Sequence, residues 1–413
     1  MTISTLPETM LKGTPASYKT LGPRPFMQVA MRIAGHIQWG TMIVALPDGR
    51  VFKFEGREKP EEVGVLLIKD WRFARKMILG GTIGLYEAFE KDMWDSPDIA
   101  QFLRVGAANA EVMQGYFLGN VFVRQLNNLF HTLNKNTKNG SRRNIMAHYD
   151  LGNSFYKLWL DPTMTYSSAK FAHPGQDLAD AQTNKYRALA ESIDLKPGER
   201  VLEIGSGWGG FAEYAAREVG ASVTGITISK EQYDFAQERM FREGLNEKVE
   251  IRLQDYRDVD EQFDKAASIE MFEAVGKEFW PIYFHKLRDS LKPGGVAGLQ
   301  IITIADDIFP YYEKASDFIQ RYIFPGGMLP SPGILRDQVQ AAGLSWRRED
   351  SFGLDYADTL NAWHKSFLAA WDDIREMGFD DRFKKLWRYY LAYCEAGFRG
   401  GTTDVAQVAV ARA

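Results

Sequence analysis

From Val201 to Ile204 the chain is apolar except for one acid, Glu203. A strand with apolar residues on both faces is buried on both, as in a parallel sheet covered by helices. Gly205, Gly207, Gly209 and Gly210 follow, then the helical pattern from Phe211 to Val219, then a second β-like run from Val223 to Ile228. This order of strand, glycine loop, helix and strand predicts the first crossover of a doubly wound sheet, with a ligand at its first turn.

Upstream the pattern differs. Residues 1 to about 20 read as a loose polar tail, and 25–38 as a helix. Thr41–Leu46 and Arg50–Glu55 flank Pro47-Asp48-Gly49, which predicts a hairpin. Val63–Ile68 reads as a strand, and 98–109 and 112–132 as helices. From Asp70 to Leu79 aromatic, basic and aliphatic residues interleave, which suits either an anionic bilayer or an amphipathic helix packed on its own domain. Asn134 to Arg143 is polar, helix-breaking and wholly basic in its charges, so it reads as a linker. Beyond it helices and strands alternate. The prediction is an α+β domain over 1–133, a basic linker over 134–143, and an α/β domain over 144–413.

The net charge of -4 gives no overall nucleic-acid footprint. One cysteine, Cys394, excludes an internal disulfide and a cysteine-rich metal site, and fits a buried thiol in a cytoplasmic protein. The six histidines show no metal-ligand spacing. His148, in His-Tyr-Asp, is a candidate to face the site. No signal-peptide pattern and no apolar run of bilayer length occurs, so any membrane contact is expected to be peripheral.

Gly205-Ser206-Gly207-Trp208-Gly209-Gly210 formally matches a dinucleotide fingerprint. A dinucleotide site would place an acid at the end of the second strand, where this chain has Thr227-Ile228-Ser229. Trp208 is bulky for a loop that hugs a pyrophosphate. S-adenosylmethionine carries no phosphate and needs only close backbone approach to its amino-acid part, so it is the better ligand.

Further segments narrow the field. They are Asn144–Asn153, Leu158–Ser167, Gln254–Asp258, Ser268–Glu273, Tyr322–Ser331, Phe352–Tyr356 and Tyr393–Arg399. In this order they resemble the cyclopropane-fatty-acyl-phospholipid synthase family over about residues 144–410, more faintly in front. The resemblance implies a Rossmann-like methyltransferase domain with a seven-stranded, mostly parallel sheet and helical insertions. It implies transfer of a methyl from S-adenosylmethionine to a double bond of unsaturated phospholipid acyl chains, through a carbocation, giving a cyclopropane ring. It also implies bound bicarbonate as the base, a homodimer, and peripheral attachment to the inner face of the membrane. Residues 309–330 are expected to form a lid or a wall of the acyl tunnel.

Residue by residue, the resemblance places Gly205, Gly207 and Gly209 at the methionine part of the donor, Thr227 and Gln232 near its ribose, and Asp255 and Tyr256 at the adenine rim. Tyr166 covers the donor and offers its ring face to positive charge. Ser168, Glu273, Gln300, Ile302 and Tyr356 surround the anion: Ser168 and Ile302 through backbone N–H, Tyr356 through its phenol. A carboxyl beside an anion predicts a raised pKa for Glu273.

Three positions depart from the pattern. Ser168 stands where many members have Cys, and Gln300 and Ala274 where many have His. Gln donates a hydrogen bond but takes up no proton. These changes leave open a methyl-branched or methylene product. A lipid-binding protein with a vestigial donor site and a small-molecule methyltransferase are the remaining alternatives.

Overall fold

The computed structural model describes residues 10–14, 18, 21–110, 151–314 and 317–413. The chain divides into two compact units, residues 1–129 with 379–400, and residues 130–378 with 401–413. The predicted helix at 112–132, the basic linker and His148 lie outside the described residues.

The first unit carries five strands: β1 (Leu11–Lys12), β2 (Trp39–Ala45), β3 (Val51–Glu55), β4 (Glu58–Ile68) and β5 (Trp94–Asp95), in the order β1-β3-β2-β4-β5. The predicted hairpin is β2–β3, closed through Gly49 at φ 86°. Helix Pro25–Ala34 is shorter than the sequence suggests, and Ile99–Ala108 falls where a helix was predicted. The interleaved stretch opens helix Arg72–Glu90. Phe73 and Ala74 belong to its core, whereas Arg75 and Leu79 are exposed. Helix Asp381–Arg399, from the far end of the chain, packs in this unit. Arg382 pairs with Glu90, Lys385 with Asp92, and the Tyr389 ring sits against Tyr86, Phe89 and Trp94. Cys394 is on this helix and is half-buried rather than buried. Among the described residues no helix is long and apolar enough to cross a membrane.

The second unit is the α/β layer structure predicted. Its strands are β6 (Arg200–Ile204), β7 (Ser222–Thr227), β8 (Val249–Leu253), β9 (Phe263–Ile269), β10 (Leu291–Ile304), β11 (Leu344–Ser351) and β12 (Thr403–Arg412). Their order is β11-β12-β10-β9-β6-β7-β8, and β12 runs antiparallel to both its neighbours. Side chains alternate across a strand, so β6 feeds two cores. Val201 and Val223 pack under helices Leu178–Ser192, Gly210–Tyr214 and Lys230–Arg242. Leu202, Ile204 and Ile226 pack with Trp280, Phe284 and Leu335 of helices Trp280–Asp289 and Pro332–Ala341. Trp280 is essentially fully buried, and truncating such a side chain to Ala costs about 3–5 kcal/mol. The predicted helix after the loop is α only over Gly210–Tyr214, then widens into a π turn over Ala215–Val219.

Candidate active site

The site forms at the carboxyl ends of β6, β9 and β10, where an open α/β sheet binds its ligands. Gly205, Gly207 and Gly209 all have positive φ, at 84°, 53° and 84°. A Cβ on Gly205 would meet Met271 Cγ at 2.7 Å, whereas one on Gly207 meets nothing within 4 Å. The loop is therefore packed underneath at Gly205 and open above at Gly207. Trp208 does not crowd it: the indole is buried against Tyr156 and donates to Asn153 Oδ1 at 2.7 Å. Beside the loop, Glu203 Oε2 and Ser206 Oγ are buried without hydrogen-bond partners. Burial raises the Glu203 pKa to about 8. An open glycine cradle with unsatisfied polar atoms next to it fits the amino-acid end of S-adenosylmethionine.

Thr227 and Gln232 are brought together. Ser229 caps helix Lys230–Arg242 by accepting from Gln232 N–H, worth about 1 kcal/mol. That turn puts the Gln232 amide against Thr227 Oγ1 at 3.0 Å. Asp255 carries a further partner: Arg257 donates to both its oxygens, at 2.8 and 2.6 Å. Tyr256 is largely desolvated against Tyr283, which raises its pKa to about 12.

Tyr166 lies in an aromatic wall. Its ring centroid is 5.3 Å from Tyr156, 5.7 Å from Trp159 and 5.1 Å from Trp363. The segment after it is pinned to helix Gly353–Ala369: Ala169 N–H donates to Thr359 Oγ1, and Phe171 N–H to Asp355 Oδ2.

Of the five residues expected around an anion, Glu273 is one of two neighbouring carboxyls and the other four divide between them as donors. Ile302 N–H donates to Glu273 Oε1 at 2.5 Å. Ser168 N–H and Gln300 Nε2 donate to Glu270 Oε1, each at 2.8 Å, and the Tyr356 phenol donates to Glu270 Oε2 at 2.6 Å. Ser168 donates through its backbone N–H and Gln300 through its side-chain amide, both to a side chain of this chain. Glu270 is thus the residue that motif-matching missed. The available signal was a second acid three positions before Glu273, at the end of a strand and followed by two apolar residues.

The two carboxyls differ in environment. Burial, and then the charge of Glu270, push Glu273 up to about 8; its Oε2 is buried without a partner. Burial also raises Glu270, against its hydrogen bonds from Tyr356 and Gln300 and the charge of Lys185. Lys185 is a second residue not foreseen, and unlike Glu270 it carries no sequence signal. It is fully buried, its ammonium donates to Ser167 Oγ at 2.6 Å, and burial lowers its pKa to about 7. Paired acids pushed apart by their surroundings, beside a polar loop and an aromatic wall, can hold one proton and accept another.

Comparisons with known proteins identify the family. The family described as "Mycolic acid cyclopropane synthetase" matches residues 136–408. "Tuberculostearic acid methyltransferase UfaA1" of Mycobacterium tuberculosis is 37% identical over 85% of this chain and 84% of its own. "Cyclopropane-fatty-acyl-phospholipid synthase" of Escherichia coli K12 is also 37% identical, over 84% of this chain and 87% of its own. Among solved structures, mycolic acid cyclopropane synthase CmaA1, complexed with SAH and CTAB, aligns with a TM-score of 0.62 and 30% identity, over 66% of this chain and 98% of that one. The chain therefore belongs to the mycolic acid cyclopropane synthetase family, and it is an S-adenosylmethionine-dependent methyltransferase.

Proposed function

We propose that this protein adds the donor methyl to a carbon–carbon double bond within unsaturated phospholipid acyl chains and closes a cyclopropane ring. The observation that carries this function is the pair Glu270 and Glu273 beside the aromatic wall of Tyr156, Trp159, Tyr166 and Trp363. An alkene is a weak nucleophile, so the reaction passes through positive charge on the chain. Aromatic faces stabilise a cation through the ring quadrupole, by about 2 kcal/mol when desolvated. A buried carboxylate nearby supplies the opposite charge and a destination for one proton. S-adenosylmethionine supplies the electrophilic methyl. Gly205, Gly207 and Gly209 would hold its amino-acid part, Thr227 and Gln232 its ribose, and Asp255 and Tyr256 its adenine.

A methyl-branched or methylene product is the second reading. The absence of an imidazole at Gln300 and Ala274 favours it, as does a relative at 37% identity that is named a methyltransferase rather than a synthase of rings. Peripheral attachment to the inner face of the cytoplasmic membrane fits the exposed Leu79 beside the exposed Arg72 and Arg75. A homodimer belongs to the same proposal.

The test is incubation with methyl-labelled donor and vesicles of cis-monounsaturated phospholipid, then proton NMR of the released fatty acids. Upfield ring protons carrying the label support the cyclopropane product, and a chain methyl or methylene signal supports the second reading. Donor binding with no label in lipid overturns acyl-chain modification and returns attention to small-molecule acceptors or a vestigial donor site.

A further inference from the structure

We infer that Glu270 supplies the proton acceptor of this reaction from within the chain, in the position where a free trigonal anion such as bicarbonate would otherwise be bound. The inference rests on the acyl-chain function proposed above.

The geometry is that of an anion site already filled. Three donors from three separate parts of the chain, Ser168 N–H, Gln300 Nε2 and the Tyr356 phenol, converge on the two oxygens of one carboxylate at 2.6 to 2.8 Å. A carboxylate and a bicarbonate present the same planar pair of oxygens to such donors, so the groups that hold one cannot hold the other at the same time.

The backbone gives an independent sign. Glu270 stands at φ 49°, in the left-handed region. A residue with a Cβ is sterically disfavoured there, and Gly is not. The end of β9 is thus shaped for glycine yet holds glutamate, and strain of this kind is kept where the side chain has work to do. Both Glu270 and Glu273 keep part of their surface accessible, so the pair is not sealed into the core.

The roles of the two acids follow from their surroundings. Glu273 has one donor, Ile302 N–H, and holds its proton up to about pH 8. Glu270 has three donors to its charged form and faces Lys185, so it is the member of the pair that ionises. Burial still keeps it more basic than a carboxylate in water. The step then balances. The π pair of the double bond forms the new C–C bond to the methyl, and the C–S pair stays on sulfur. The neighbouring chain carbon is left cationic. A proton leaves the new methyl for Glu270, its C–H pair closes the ring, and Glu270 becomes a neutral acid. The same residue taking a proton from an adjacent chain carbon would leave a double bond instead.

The test uses the full-length protein in carbon-dioxide-free buffer, with and without added bicarbonate. Wild-type turnover on the vesicles should be unchanged by bicarbonate. Glu270→Gly, which relieves the backbone strain and opens the anion position, should lose at least about a hundredfold in rate and recover with bicarbonate. Glu270→Gln fills the site, so it should lose activity without recovery. Independently of activity, 13C-bicarbonate should bind Glu270→Gly saturably by NMR and should not bind wild type. Bicarbonate stimulation or binding with wild type, or full activity of Glu270→Gly without bicarbonate, overturns the inference. Wild type that puts no label into lipid overturns the acyl-chain function itself, while the binding comparison still decides whether Glu270 fills the anion position.

Discussion

Gln407 Nε2 donates to Gln300 Oε1 at 3.1 Å, from the one strand of the large sheet that runs against the others. The same nitrogen donates to the Lys185 carbonyl at 3.0 Å. With its oxygen so engaged, the Gln300 amide must turn its NH2 toward Glu270. Gln407 is therefore a positioning residue. Gln407→Leu frees the amide to rotate and to set an oxygen against the Glu270 carboxylate. Turnover on lipid vesicles should fall about tenfold, and the acid limb of the pH–rate profile should move to higher pH, with donor affinity unchanged. A rate loss without movement of that limb would show that Gln407 acts only through packing.

Tyr356→Phe removes the donor to Glu270 Oε2 and leaves that oxygen unsatisfied. A hydrogen bond to a charged group is worth about 1.5–3 kcal/mol, so the rate should fall roughly 10- to 100-fold. The phenol lowers the Glu270 pKa, so its removal raises it. The acid limb should rise with it, and calorimetric titration with S-adenosylhomocysteine should show unaltered affinity.

The glycine loop separates two kinds of damage. Ala at Gly207 meets no neighbour but sits at φ 53°, so Gly207→Ala should fold with a loss of about 1–2 kcal/mol. Its S-adenosylhomocysteine affinity should drop at least tenfold by calorimetry, since the added methyl occupies the open cradle. Gly205→Ala drives a Cβ to 2.7 Å from Met271 Cγ and should lower the melting temperature further. Equal affinity in wild type and Gly207→Ala would place the donor elsewhere.

Stability should depend on pH through the buried acids. Burial raises Glu203 and Glu273 to about 8, from an ordinary value of 4.5. Between those limits the folded chain keeps protons that the unfolded chain has released, so stability falls as pH rises from about 4.5 to about 8. Lys185 has the opposite sign. Lowered to about 7 from 10.5, it lacks a proton in the folded chain that the unfolded chain holds, so its contribution improves with pH above 7. The unfolding free energy should decline between pH 5 and 7 by on the order of 1 kcal/mol per acid per pH unit, decline more slowly between 7 and 8 as Lys185 offsets one of the two acids, and fall no further through these groups above 8. Glu273→Gln should reduce the slope in thermal melts across that range; an unchanged slope would mean that Glu273 is ionised in the fold.

The crossover that builds the donor loop is written in the local sequence. The apolar run Val201–Ile204, the glycine turn at Gly205, Gly207 and Gly209, and the absence of an acid at Thr227-Ile228-Ser229 are local, so they are legible within a few residues. The same holds for the hairpin at Asp48-Gly49. Two features depend on long-range packing. Helix Asp381–Arg399 packs in the first unit, because its aromatic face meets Tyr86, Phe89 and Trp94 some 300 residues earlier in the chain, and nothing local records that choice. The other is the occupant of the anion position. Ser168, Gln300 and Tyr356 were each legible as donors to a negative charge. Which charge they serve depends on where a side chain at φ 49° points, and that is fixed by packing across three elements rather than by any motif.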